Sequence, residues 1–458
     1  MSRFLGCLVP VIVMFITTCS QAQTIDTFPF QEWVGISSLH VGPDGDIWFS
    51  LSEPARLMRI VDDQIECAYD SGIQDVEYPG PYDIAITPDG TMWLSHGRKI
   101  YSSEAGFLDT DFELPVRDEY RSFLFGSPAL VSSDCRLYFV GCWTSWFSGK
   151  GADAIYELVH GGMPEIRYEN NWARLDLDYV LIVSSSECWA YAHYYWGGGY
   201  DALWRIDLDT GALEAEYGDL VGLPSAKDSQ GFLWLNLGPS IVTFDGQSSS
   251  VFAEGNEEDL WYQQPVLAAN GAVWSVEAED DRGRTCLGIA RFADGQKRTF
   301  TVDDGLLTNW CESPVIDYDG RLWVVNWRYP LQPLLGLSRI TDGGWPPMRL
   351  MLHRVETPVS ISVEAQVINN GPVVGVDVYV ALHKNGQLLF WPSWEPAPSP
   401  VQVNLRPGHN QTATIISAPR SSIPPGSYTF WGCMTGRNTQ KLIGPLDRKF
   451  ESLTIQID

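Results

Sequence analysis

Positive charge is scarce in this chain. Against 57 Asp and Glu stand only 30 Lys and Arg, a net charge of -27 over 458 residues. Such a surface repels phosphate backbones, which excludes nucleic acid as a natural partner. Beyond the N-terminus no apolar run is long enough for a bilayer, so no transmembrane helix is expected there. Histidine is rare, at 7 residues, and no two cysteines have Cys-x-x-Cys spacing. Nothing therefore marks a metal site, and no cofactor is expected. The cysteines after the leader are 67, 135, 142, 188, 286, 311 and 433, an odd number and too sparse for a disulfide scaffold. Global disorder is excluded too, because 45% of the residues are hydrophobic and 19% charged.

The N-terminus reads as a leader. Arg3 precedes an apolar run of 13 residues, Phe4 to Ile16, too short to span a bilayer comfortably. Ser20-Gln21-Ala22 offers a small-x-small cleavage site that makes 1–22 a signal peptide. Ile16-Thr17-Thr18-Cys19 offers a lipoprotein box instead, with the leader ending before a lipid-anchored Cys19. Either route exports the protein, to the periplasm, the outside, or a lipid anchor at the cell envelope.

Tryptophan and turn formers are abundant: 19 Trp, 42 Gly and 29 Pro point to short strands and tight turns. One phrase recurs seven times, as HVGPDGDIWFS, AITPDGTMWLS, LVSSDCRLYFV, IVSSSECWAYA, AKDSQGFLWLN, LAANGAVWSVE and IDYDGRLWVVN. Its aromatic anchors are Trp48, Trp93, Tyr138, Trp189, Trp234, Trp274 and Trp323, spaced by 45, 45, 51, 45, 40 and 49 residues. The pairs Asp44-Gly45, Asp89-Gly90, Asn270-Gly271 and Asp319-Gly320 suit hairpins that need positive φ. Each repeat is thus two strands, A and B, around a tight turn. A third follows, as in LMRI at 57–60, LWRID at 203–207, GIARF at 288–292 and LSRI at 337–340, and a fourth ends the unit. Four strands in roughly 45 residues is the size of a propeller blade. The seventh unit lacks a fourth strand, and TIDTF at 24–28 is an orphan that resembles one. It is expected to close the ring and remove an open sheet edge.

From about residue 348 the pattern changes to alternating strands such as VSISVEAQVINNG and GSYTFWGCM, separated by Gly turns. They read as a sandwich of six to eight strands. The expected fold is all-β: a seven-bladed β-propeller over 23–345, then an immunoglobulin-like β-sandwich over 346–458.

The phrases GPDGDIWFS, TPDGTMWLS and YDGRLWVVN resemble the two-component-regulator propeller repeat and the repeats of the virginiamycin B lyase family. The C-terminal stretch, GSYTFWGCM above all, looks like the immunoglobulin-like accessory domains of exported bacterial proteins. The lyase resemblance implies a metal and a histidine base at the channel. The chain departs from that pattern in its late blades, where blade six offers Glu277 without a His and blade seven Asn326.

In a propeller, strand A lines the channel, and the loops joining D to A and B to C share one face. The repeat register sends many of the remaining aromatics there. Tyr82, Trp143, Trp146, Trp172, Tyr195, Trp196, Trp261, Trp310, Trp327 and the neighbouring Arg328 are the expected ligand-binding residues. Aromatic faces beside hydrogen-bonding groups suit sugar rings and peptides. The expected function is an exported, non-enzymatic binding or interaction protein whose partner is a carbohydrate, a peptide or an envelope protein. The alternative is a metal-assisted lyase or hydrolase at the central channel. Its candidates are His96 and His193, just after strands B of blades two and four, and Glu277 in the matching place of blade six. His40, in strand A of blade one, is a further histidine to place. Cys286 and Cys311 fall near the same face and are disulfide candidates, whereas Cys135 and Cys142 lie roughly 20 Å apart along a strand and should not pair.

Overall fold

The computed structural model describes residues 24–30, 36, 39–52, 55–70, 83–96, 99–103, 112–113, 122–125, 130–131, 136–144, 151–158, 165–169, 175–194, 201–218, 220, 222–256, 260–279, 286–327, 336–341, 345–384, 386–445 and 448–457.

The repeated phrase owes its shape to a carboxylate six residues before the Trp. Oδ1 of Asp317 accepts the backbone N–H groups of Asp319 and Arg321, each at 2.9 Å, while Oδ2 accepts the indole N–H of Trp323 at 2.9 Å. Asp228 does the same for Gln230 at 2.9 Å, Phe232 at 3.0 Å and the indole of Trp234 at 2.8 Å. One side chain thus ties the hairpin turn to the ring that packs between blades. In blade one the position holds Gly42, where a Cβ would lie 2.4 Å from the Trp48 indole nitrogen. A second device crosses the sheet. Trp48, Trp189, Trp274 and Trp323 on strands B stand opposite Arg59, Arg205, Arg291 and Arg339 on strands C. Each guanidinium lies 5.3 to 5.9 Å from the ring centre, the geometry of a cation–π pair.

Asp317 is buried and also pairs with Arg321 at 2.7 Å. Asp317→Ala should therefore lower unfolding stability by about 2–3 kcal/mol, because it leaves buried N–H donors unpaired. Urea denaturation checks this, and an unchanged midpoint would show that the carboxylate does not hold the turn.

The strands assemble into seven antiparallel sheets in chain order, with strand orders that step outward one strand at a time. Their first strands touch in sequence: His40–Val41, Asp83–Ile86, Leu130–Val131, Leu175–Ser184, Leu223–Lys227, Trp261–Leu267 and Cys311–Ile316, the last returning to the first. This closed circuit is the wall of a central channel. In the third sheet the inner strand is split, with Ser122–Phe125 and Leu130–Val131 both pairing with Leu137–Thr144. The seventh sheet is completed by Thr24–Pro29, antiparallel to Gly336–Thr341. The closing strand is one residue longer than the sequence pattern indicated.

The C-terminal strands form a three-stranded sheet (Met348–Glu356, Ser360–Asn369, His409–Pro419) and a six-stranded sheet built around Val374–Lys384 and Gly426–Gly436. They pack face to face through one core that includes Leu350, Val363, Val376, Val380 and Phe430. Nine strands appear where six to eight were expected, since short edge strands such as Leu442–Ile443 carry too few residues to show an alternation.

These sheets do not hang free. They sit on the face of the ring formed by the A–B turns. The backbone N–H of Ser229 donates to Oδ1 of Asn370 at 2.7 Å, and the Asn370 amide donates to the carbonyl of Ala268 at 3.0 Å. The Asn410 amide reaches the Ser229 carbonyl at 3.0 Å, and Lys449 Nζ reaches Oδ1 of Asp319 at 2.5 Å. Tyr318, from an A–B turn, is part of the C-terminal core. Two glycines permit this approach. A Cβ on Gly375 would lie 1.7 Å from the carbonyl oxygen of Pro88, and one on Gly436 would lie 1.7 Å from that of Pro43.

Candidate functional site

The C-terminal sheets cover one mouth of the channel. The other mouth lies on the side of the D–A and B–C loops, and the inner strands are distorted on the way there. Strand A is bulged in blades four, five, six and seven, at Tyr179, Ser225, Gln264 and Ser313. Tyr179, Gln264 and Ser313 have φ of 50°, 51° and 49°, a left-handed conformation that non-glycine residues rarely take. The bulges of blades six and seven are tied together, the Ser313 N–H donating to Oε1 of Gln264 at 2.8 Å. Bulges re-aim side chains and gather beside functional sites. Here they leave Tyr179 58% exposed, with Gln264 and Glu312 also exposed. Glu312 is accessible yet surrounded by protein, and that burial pushes its carboxyl above the usual carboxylate range.

Between the bulges and the C-terminal sheets lies a cavity of about 320 Å³. Its walls are strand-A residues such as Ile84, Leu181, Val266 and Ile316, and its floor is the 370–375 segment, with Pro372, Val373 and Val374.

Of the ten aromatic-rim candidates, three have described side chains. Trp261 begins strand A of blade six, Trp310 precedes strand A of blade seven, and Trp327 follows strand B of blade seven. They lie at the loop end of adjoining blades, and the backbone N–H of Trp327 donates to the Trp310 carbonyl at 2.9 Å. All three are half-buried, and the indole N–H groups of Trp261 and Trp327 have no hydrogen-bond partner among the described residues. Trp143 lies in the strand Leu137–Thr144 opposite Phe123. Tyr82, Trp146, Trp172, Tyr195, Trp196 and Arg328 lie outside the described residues, as does Cys135.

His40 lies at the other end of the channel from the catalytic candidates. His40 lines the cavity on the turn side, where burial lowers its pKa to about 4 and keeps it neutral. His193 lies at the opposite, loop end of blade four, within the strand Glu187–Tyr194, with Nδ1 2.5 Å from Oδ1 of Asp201. Sequence reasoning missed Asp201, although it stands eight residues on in the long B–C segment. Glu277 is buried, and both its oxygens are occupied, by Lys297 Nζ at 2.5 Å and Thr299 Oγ1 at 2.7 Å. That makes it a cross-strand anchor in blade six. His96 ends the strand Met92–His96, paired with Lys99. Among the described residues no group of three or more His, Cys, Asp and Glu could hold a metal ion.

The candidate pair Cys286 and Cys311 forms no bridge. Both are buried, reduced thiols that begin strands of neighbouring blades. The Cys311 sulfur is held inside its own blade, 3.8 Å from the Thr308 carbonyl and 3.6 Å from the Asn326 amide. Burial, and then the neighbouring Cys286, push its thiol up and keep it protonated.

No protein-family model and no curated protein matches the sequence. Solved structures do match in fold. Virginiamycin B lyase from Staphylococcus aureus, in an inactive form with quinupristin, matches 70% of this chain and 100% of its own at a TM-score of 0.50 and 13% identity. A putative gluconolactonase matches 72% of this chain and 95% of its own at 0.36 and 13%. The extracellular domain of a putative hybrid two-component system from B. thetaiotaomicron matches 91% and 72% at 0.25 and 11%. The virginiamycin B lyase family is one whose repeats the sequence phrases resemble, and at such identity the likeness concerns the fold alone.

Proposed function

We propose that this chain is an exported binding protein that takes a carbohydrate, a peptide or an envelope protein at the loop face of its propeller. The observation that carries the reading is the placement of the C-terminal sheets. They occupy the turn face, so the loop face is the one left for a large ligand. The half-buried rings of Trp261 and Trp327 supply stacking area there. The strained bulge at Tyr179 presents a third, exposed aromatic. The leader at 1–22, or a lipid at Cys19, would deliver the protein to the envelope where such ligands occur.

Glycan and peptide arrays identify the ligand. Trp261→Ala, Trp327→Ala and Tyr179→Ala should each weaken its binding about tenfold or more, with the far-ultraviolet dichroism unchanged. Undiminished binding in all three variants would overturn the reading.

One observation favours a second reading. The short contact from His193 to Asp201 orients an imidazole as a general base is oriented. A lyase or hydrolase built on it would lose activity in His193→Ala and keep it in Glu277→Gln, since Glu277 is engaged by Lys297 and Thr299.

A further inference from the structure

We propose that the channel cavity is a binding site for a small, uncharged, apolar molecule, of the size of a bicyclic aromatic or a short hydrocarbon chain. The site is separate from the loop-face site, and the inference stands whichever ligand that face takes. The first observation is chemical. The chain carries 57 acidic and 30 basic residues, yet none of the described lining residues is Asp, Glu, Lys or Arg. Neutral His40 and a wall of Ile, Leu, Val and Pro remain. The second observation is that the side chains of Thr87, Ser225 and Asn370 in the lining are already engaged, which leaves the Tyr318 hydroxyl as a polar group without a partner among the described residues. Thr87 Oγ1 donates to Asp89 at 2.6 Å or to the Thr91 carbonyl at 2.8 Å. Ser225 Oγ lies 3.3 Å from the Leu223 carbonyl and 3.2 Å from Asn236. The Asn370 amide spans Ser229 and Ala268.

Water inside a protein needs two to four polar partners, so this space holds it poorly. An apolar occupant would displace water that this lining holds weakly. At about 320 Å³ the cavity lies at the small end of ligand pockets, which sets the size of the molecule. Entry is from the bulged end, because the 370–375 segment closes the floor.

The test is a fluorescence titration of the full chain with N-phenyl-1-naphthylamine, a neutral apolar probe that emits strongly only out of water. Saturable binding with one site per chain is expected. Val266→Phe, which fills the space, should weaken it about tenfold or more without lowering the thermal midpoint, whereas general damage would lower both. If that variant fails to fold, Val266→Ser decides, because it keeps the space but adds a hydroxyl and should weaken binding about threefold to tenfold. Absence of saturable binding, or equal affinity in the folded variants, overturns the proposal. Neither result bears on the glycan and peptide arrays, so the two readings fail separately.

Discussion

A chain lacking Thr24–Pro29 should unfold at a much lower urea concentration than the intact protein and should aggregate. Six residues pair with Gly336–Thr341, so their loss exposes a full sheet edge. The strand also brings side chains that nothing else replaces. The Phe28 ring lies 5.2 Å from that of Trp323, and the Arg339 guanidinium lies 5.5 Å from the first and 5.3 Å from the second. Arg339 is buried and donates to Asp26 at 2.7 Å and to Asp63. Phe28→Ala alone should cost about 3 kcal/mol, and removal of the strand on the order of 5 kcal/mol or more. Urea denaturation and size-exclusion chromatography measure the two effects. A truncated chain that stays monomeric with its midpoint unchanged would mean that the ring is not held by its first strand.

The second large effect is separation of the C-terminal sheets from the ring. In Gly375→Val or Gly436→Val the new side chain must displace the carbonyl of Pro88 or Pro43, neither of which can yield as a flexible side-chain end could. Both are backbone atoms of tight turns. The expected result is a larger radius of gyration in small-angle scattering and new proteolysis within 342–347. A compact, protease-resistant variant would contradict the docking geometry. Acid should act on the same interface through Asp319. Burial raises its carboxyl, but Lys449, Arg321 and Lys441 outweigh this and hold it below the ordinary value. A depressed carboxylate stabilises above its unfolded pKa of about 4 and loses that contribution as pH falls through the folded value. Undocking should therefore grow below about pH 4, and less so in Asp319→Asn, which has already lost the ion pair.

Several of these contacts were visible in outline in the sequence. The phrases LWRID, GIARF and LSRI contain Arg205, Arg291 and Arg339, which face the repeated Trp across the sheet. The Asp six residues before Trp234 and Trp323 was equally readable, and it does more than turn the chain, since it binds the indole. The strand-A bulges were not readable. A single inserted residue shifts the pairing without altering composition, so Tyr179, Gln264 and Ser313 looked like ordinary strand residues. Glu277 looked like a catalytic carboxylate because its partners, Lys297 and Thr299, come from a strand two places away in the sheet.

The order and spacing of the repeats were determined by the sequence itself, because a turn residue, a ring and a strand alternation are local and recur whenever the local pattern recurs. So was the orphan strand, whose partner was the one unit left incomplete. The docking of the C-terminal sheets on the turn face, and with it the floor of the apolar cavity, was decided only in three dimensions. That contact joins Asn370 to Ser229 and Ala268, and Gly375 to Pro88, across more than a hundred residues of chain each time. Complementarity of shape between distant surfaces has no period, and periodicity is what a lone sequence can show.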